Sequence, residues 1–166
     1  MMNVSSTAMQ NAIAKVVGNL RGITSLYPNQ LSLLDALFSF DSIFYTSATN
    51  SGKTLPPLMY PYILKELSGL DCDVPADPKI LFVTALNSLQ LSLLSNAKAL
   101  GIQCDAISSS NIKKLLTSKI PILFVSPEVL KQSVVTSALL QYRASFVLKV
   151  IDEAHLGKNA FKIYFK

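Results

Sequence analysis

The stretch Ser47, Ala48, Thr49, Asn50, Ser51, Gly52, Lys53 and Thr54 follows a short β-prone run, Ile43, Phe44 and Tyr45, and leads into a segment of helical character from about Lys53 to Leu67. A small-residue loop between a strand and a helix, closing on Gly-Lys-Thr, is the context that a phosphate-binding loop needs. In such a loop the backbone amides and the helix N-terminus surround phosphate oxygens. Lys53 would reach the β and γ phosphates, and the Thr54 hydroxyl would ligate Mg²⁺. The pattern departs from G-x-x-x-x-G-K-[ST] at Ser47, where glycine is the rule. Asn50 also stands where glycine is usual, although Asn tolerates positive φ better than other side chains. The plainer alternative for these eight residues is a Ser/Gly-rich turn with no special role.

Working outward, the spacing of Met9, Ala12, Ile13, Val16, Val17 and Leu20 predicts a first amphipathic helix that stops before Gly22. A second short helix is expected over Leu31 to Phe38, after Pro28, and a strand over Ser42 to Thr46. Pro56 and Pro57 fall in the first turn and a half of the next helix, where missing amides cost least, and Pro61 should bend it. The stretch from Ser68 to Lys79 reads as a solvated loop, with Gly69, Pro75, Pro78 and three aspartates. Beyond it the pattern alternates: strand Ile80–Thr84, helix Leu86–Leu100 stopped by Gly101, and a short strand near Cys104–Ile107. Then come helix Asn111–Ser118, strand Ile120–Val125, one or two helices within Glu128–Tyr142, and the last buried strand, Phe146–Ile151. Strands alternating with helices imply an α/β fold, a parallel sheet with helices on both faces. Ligands in such sheets sit at the carboxyl ends of the strands.

The last strand ends on Asp152, Glu153, Ala154 and His155. A carboxylate at a strand end can hold the hydration shell of Mg²⁺, and its neighbour can orient or deprotonate an attacking water. That assigns Asp152 to the metal and Glu153 to the base, with Lys53 as the third catalytic candidate. The alternative is a strand followed by a solvated acidic turn.

Composition sets the outer bounds. The chain has 166 residues, half of them hydrophobic, no tryptophan, and a formal charge of +5, with a pI near 9.2. That is enough for one aliphatic core, and the mild excess of cations favours a polyanionic partner without requiring one. Cys72 and Cys104 form no CxxC pair and His155 is the sole histidine, so a structural zinc site is not expected. No apolar run approaches the roughly 20 residues that span a bilayer, and the first ten residues lack the pattern of a secretory signal. An intracellular monomer is expected, in the nucleus rather than the cytoplasm of a eukaryote.

The order of the two motifs, with several βα units between Lys53 and Asp152, resembles the first RecA-like domain of superfamily 2 helicases. Tyr27, Pro28, Asn29 and Gln30 resemble the upstream motif of the RecQ family, which makes Gln30 the adenine contact, against the alternative of a surface residue on its helix. Thr84 to Gln90, reading T-A-L-N-S-L-Q, is similar to motif Ia of that family, and Ile122 to Glu128, reading I-L-F-V-S-P-E, to motif Ib. By that likeness Asn87, Ser88, Ser126, Pro127 and Glu128 lie along the nucleic-acid strand, and His155 belongs to the coupling segment. Ser126, Pro127 and Glu128 also suit a helix start in their own right. Lys113 and Lys114 read as a solvated face.

The resemblance covers about Leu26 to His155. It implies ATP and Mg²⁺ as ligands, DNA rather than RNA as the nucleic acid, and a RecA-like P-loop NTPase domain over residues 26–166 behind an N-terminal helical extension, 1–25. The family continues past His155 into motif III and a second RecA-like lobe that this chain does not show. The expectation is therefore nucleotide binding without unwinding, and very slow hydrolysis, because the arginine finger of the second lobe is worth about 10³–10⁵ in rate. Three alternatives stay open: a non-catalytic nucleic-acid or partner-binding remnant, a DEAH/DEAD-type RNA helicase domain, and a small-molecule kinase. The kinase reading is weakest, since Arg21 and Arg143 are the only arginines.

Overall fold

The computed structural model describes residues 6–46, 51–68, 75–84 and 87–152. The chain divides into two compact units, residues 1–78 with 99–102, and residues 79–98 with 103–166.

The first unit is helical. Helix α1, Thr7–Asn19, buries the predicted stripe Met9, Ala12, Ile13, Val16 and Val17, and its N-cap Ser6 accepts from Met9 N–H at 3.3 Å. Helix α2, Pro28–Ser39, starts at its proline and buries Gln30, Leu33, Leu34 and Leu37. Helix α3, Leu55–Leu67, packs against both α1 and α2. Burying Leu58, Met59, Ile63, Leu64 and Leu67 holds it together around Pro61, which lies inside the helix. Phe38 stacks on Tyr60 with ring centroids 4.5 Å apart. Lys15 pairs with Glu66 across the α1–α3 contact.

The strand expected over Ser42 to Thr46 is not formed: those residues are irregular and exposed, Phe44 at 85 %. High β-propensity describes a residue that suits a pleated, half-buried surface. With no partner strand among the described residues, the run has no such surface to join.

The second unit is α/β, a four-stranded, all-parallel sheet flanked by helices. Its strands are β1, Lys79–Val83; β2, Cys104–Ala106; β3, Ile122–Val125; and β4, Phe146–Ile151. They lie in the order β2-β3-β1-β4. β1 pairs with β3 from Ile80↔Ile122 to Val83↔Val125, and with β4 up to Val83↔Ile151. Both faces of β1 and β3 are buried, as their unbroken apolar runs require of central parallel strands.

On one face Leu81, Val83, Leu123 and Val125 meet helices α5, Ile112–Thr117, α6, Pro127–Leu130, and α7, Ser133–Gln141. On the other, Phe82 and Phe124 pack with centroids 5.2 Å apart. Helix α4, Asn87–Ala99, ends as expected before Gly101, whose φ of +85° suits a residue without Cβ. Asn111 shapes the turn before α5, its Oδ1 accepting from Ser108 N–H at 2.7 Å and its Nδ2 donating to the Ala106 carbonyl at 2.9 Å. No helix among the described residues is long and apolar enough to cross a membrane.

Candidate functional site

The loop before α3 is built from the first unit alone. Ser47, Ala48, Thr49, Asn50, Glu153 and His155 lie outside the described residues, as does Cys72. Ser51 and Gly52 are half-buried, and Gly52 has φ +72°, a conformation that side chains rarely adopt. Lys53 and Thr54 form a turn, and the helix begins at Leu55 rather than near Lys53. Thr54 caps the helix in αR conformation without a side-chain capping bond. Lys53 and Thr54 are half-buried, and neither side chain has a partner among the described residues.

The proline pair changes the anion chemistry of this end. A helix N-terminus holds anions through its first free amides. Here Leu55 N–H already donates to the Gly52 carbonyl at 3.1 Å, and Leu58 N–H to the Thr54 carbonyl at 3.4 Å. Pro56 and Pro57 have no N–H. A phosphate at this point must therefore rely on the amides of the loop itself and on the Lys53 ammonium.

Two side chains of α2 hold the loop. Asn29 Nδ2 donates to the Ser51 carbonyl at 3.1 Å, and Gln30 Nε2 donates to the Gly52 carbonyl at 3.0 Å. Gln30 Oε1 accepts from Tyr27 N–H at 2.9 Å. Gln30 is 4 % exposed, which rules out the surface-residue alternative. The role of Asn29 carries no signal in the sequence beyond its place beside Gln30.

In the second unit the ladder continues past the strands and gathers their carboxyl ends. Thr84 N–H donates to the Val125 carbonyl at 3.1 Å, and Asp152 N–H to the Val83 carbonyl at 3.0 Å. Thr84, Ser126 and Asp152 thus stand at the ends of three adjacent strands, where ligands of parallel sheets bind. Asp152 is half-buried. Thr84 is fully buried, and its hydroxyl has no hydrogen-bond partner among the described residues.

The candidates for nucleic-acid contact divide by exposure. Ser88 and Glu128 are exposed, Ser126 and Pro127 are buried, and Asn87 lies in α4 with its side chain outside the described set. Ser126 is the N-cap of α6 and Pro127 its first residue, as the sequence suggests, but Ser126 makes no side-chain cap. The Glu128 carboxyl is held below its ordinary range because it accepts from its own backbone N–H and from the Ser126 hydroxyl, with Lys131 adding to the effect. The Ser126 hydroxyl therefore donates to a carboxylate instead of accepting from a helix amide. Lys113 and Lys114 are exposed, in keeping with a solvated face. The described residues contain no cluster of three or more His, Cys, Asp or Glu that could hold a metal ion by itself.

Compared with known proteins, the chain matches no protein-family model and no curated protein sequence.

Proposed function

We propose that this chain is the ATP-binding domain of a RecQ-like, DEAH-type superfamily 2 helicase, a RecA-like domain that serves ATP-dependent 3′ to 5′ DNA unwinding in a complete motor. The observation that carries the reading is the turn at Lys53 and Thr54. A cation and a hydroxyl, both half-buried and without partners among the described residues, stand where a positive-φ glycine hands the chain to a 13-residue helix. Lys53 would neutralise triphosphate oxygens and the Thr54 hydroxyl would hold Mg²⁺, which supplies charge neutralisation on the β and γ oxygens when bound; Asp152, in the second unit, is a metal residue of the same reading. Glu153 is the base of this reading, His155 its coupling residue, and the exposed Ser88 and Glu128 its side chains toward DNA.

Titration of the chain with Mg·ATP tests it: wild type binds and Lys53→Ala binds far more weakly. Equal affinity of the two would remove the assignment.

A second reading, a non-catalytic module that binds nucleic acid or a partner, is favoured by one pair of observations. Pro56 and Pro57 deplete the anion site of amides, and Ile43 to Tyr45 do not form the strand that should brace the loop. A DNA affinity that falls with salt and ignores ATP would support it.

A further inference from the structure

Gln30 is a side chain whose amide orientation the fold dictates. Tyr27 N–H can only donate and the Gly52 carbonyl can only accept, so turning the amide over would lose both bonds and set like poles against each other. Reading an adenine edge takes an accepting Oε1 and a donating Nε2 placed side by side and turned toward the base. At 4 % exposure, with each end already bonded to backbone, Gln30 does not present that pair.

The amide does something else. With Asn29 it forms a two-point grip in which consecutive side chains at the start of α2 hold the consecutive carbonyls of Ser51 and Gly52. The fit is close: a Cβ on Gly52 would collide with Gln30 Nε2, and the φ of +72° would strain any side chain there. Gly52 is thus required both by its conformation and by the amide packed on it. Beside the grip stands Tyr27, 67 % exposed, an aromatic face on which any purine can stack.

We infer that Asn29 and Gln30 are positioning residues that shape the Ser51–Gly52 peptide ahead of Lys53, and that the site takes nucleoside triphosphates by their triphosphate without selecting the base. This rests on the nucleotide-loop reading proposed above. Loss of the grip loosens the loop under every ligand alike, because the bond that is lost touches no base.

The full chain is titrated calorimetrically with Mg·ATP, Mg·GTP and magnesium tripolyphosphate, as wild type and as Gln30→Met, which keeps the volume and removes the amide. Wild type is expected to bind ATP and GTP within about threefold of each other. Gln30→Met is expected to weaken all three ligands by a common factor of about 3 to 10, the effect of one neutral hydrogen bond. Asn29→Ala should act in the same direction. A wild-type preference for ATP over GTP of about tenfold or more overturns the inference while leaving the loop reading intact. So does a Gln30→Met loss confined to ATP. Failure of the wild type to bind any of the three removes the loop reading and this inference with it. The wild-type comparison needs no variant to fold.

Discussion

Replacing Thr84 by valine should make the protein more stable. Thr84 closes β1 with its N–H on the Val125 carbonyl, but its side chain is fully buried and its hydroxyl has no partner among the described residues. Leaving a buried hydroxyl unsatisfied costs about 1–3 kcal/mol. Valine has the same branched shape and puts a methyl group where that hydroxyl sits, so the penalty disappears without opening a cavity. The gain works out at about 1–2 kcal/mol, and for a chain of this size each kcal/mol moves Tm by about 2–4 °C. Urea unfolding is the assay, with the midpoint expected to rise at unchanged slope. Thr84→Ser, which keeps the hydroxyl and loses the methyl, should fall below wild type. A valine variant less stable than wild type would mean instead that the hydroxyl is bonded. A buried hydroxyl without a partner among the described residues, at the ligand end of a parallel sheet and one residue past the strand that bonds Asp152, calls for a reason other than stability.

Two further outcomes follow from the same packing. Lys79 is 2 % exposed and its ammonium donates to the carbonyls of Ser118 and Ile120, so Lys79→Ala should cost about 3 kcal/mol by cavity and lost bonds, and Lys79→Met distinctly less, both read by urea midpoint. Burial pushes the Cys104 thiol above its ordinary pKa; Lys98 opposes the shift and Asp105 adds to it. The unfolded thiol then ionises at lower pH than the folded one, so its contribution to stability is whole below the unfolded thiol's pKa and declines as pH rises through that value. In a Cys72→Ser background, Cys104 should resist a thiol reagent at neutral pH until denaturant is added, and prompt labelling of the native chain would contradict this.

Much of the second unit was legible because central parallel strands are buried on both faces. The runs at Ile80 and Ile122 therefore show as continuous apolar stretches wherever they are read, whereas β4 lies at the sheet edge, half-exposed and interrupted by Lys149, and is not the buried strand its sequence suggests. The run at Ile43 has the same chemistry but differs in context, since strand formation depends on a neighbour that local sequence does not supply. The start of α6 was readable from Ser126 with Pro127, because a proline at the first helical position needs no partner beyond its own ring, whereas α2 begins at Pro28 itself, ahead of the Leu31 that its apolar spacing suggests.

The candidate site was legible only in part. The strand end at Asp152 is a local feature and stands where the sequence puts it, while Lys53 stands in a turn ahead of its helix and without the strand expected before the loop. The grip of Asn29 and Gln30 on Ser51 and Gly52 joins residues 22 positions apart, and no periodicity encodes it. The burial of Ser126 and Pro127, and of the Thr84 hydroxyl without a partner among the described residues, is likewise a property of packing around the strand ends.

The most direct test of the nucleotide assignment is ATP affinity measured with Mg²⁺ and again with chelator, in wild type, Lys53→Ala and Asp152→Asn. Mg²⁺ is expected to tighten wild-type binding, Lys53→Ala to lose about tenfold or more in either condition, and Asp152→Asn to lose chiefly the part that Mg²⁺ adds. Both variants binding Mg·ATP as the wild type does would contradict the nucleotide assignment.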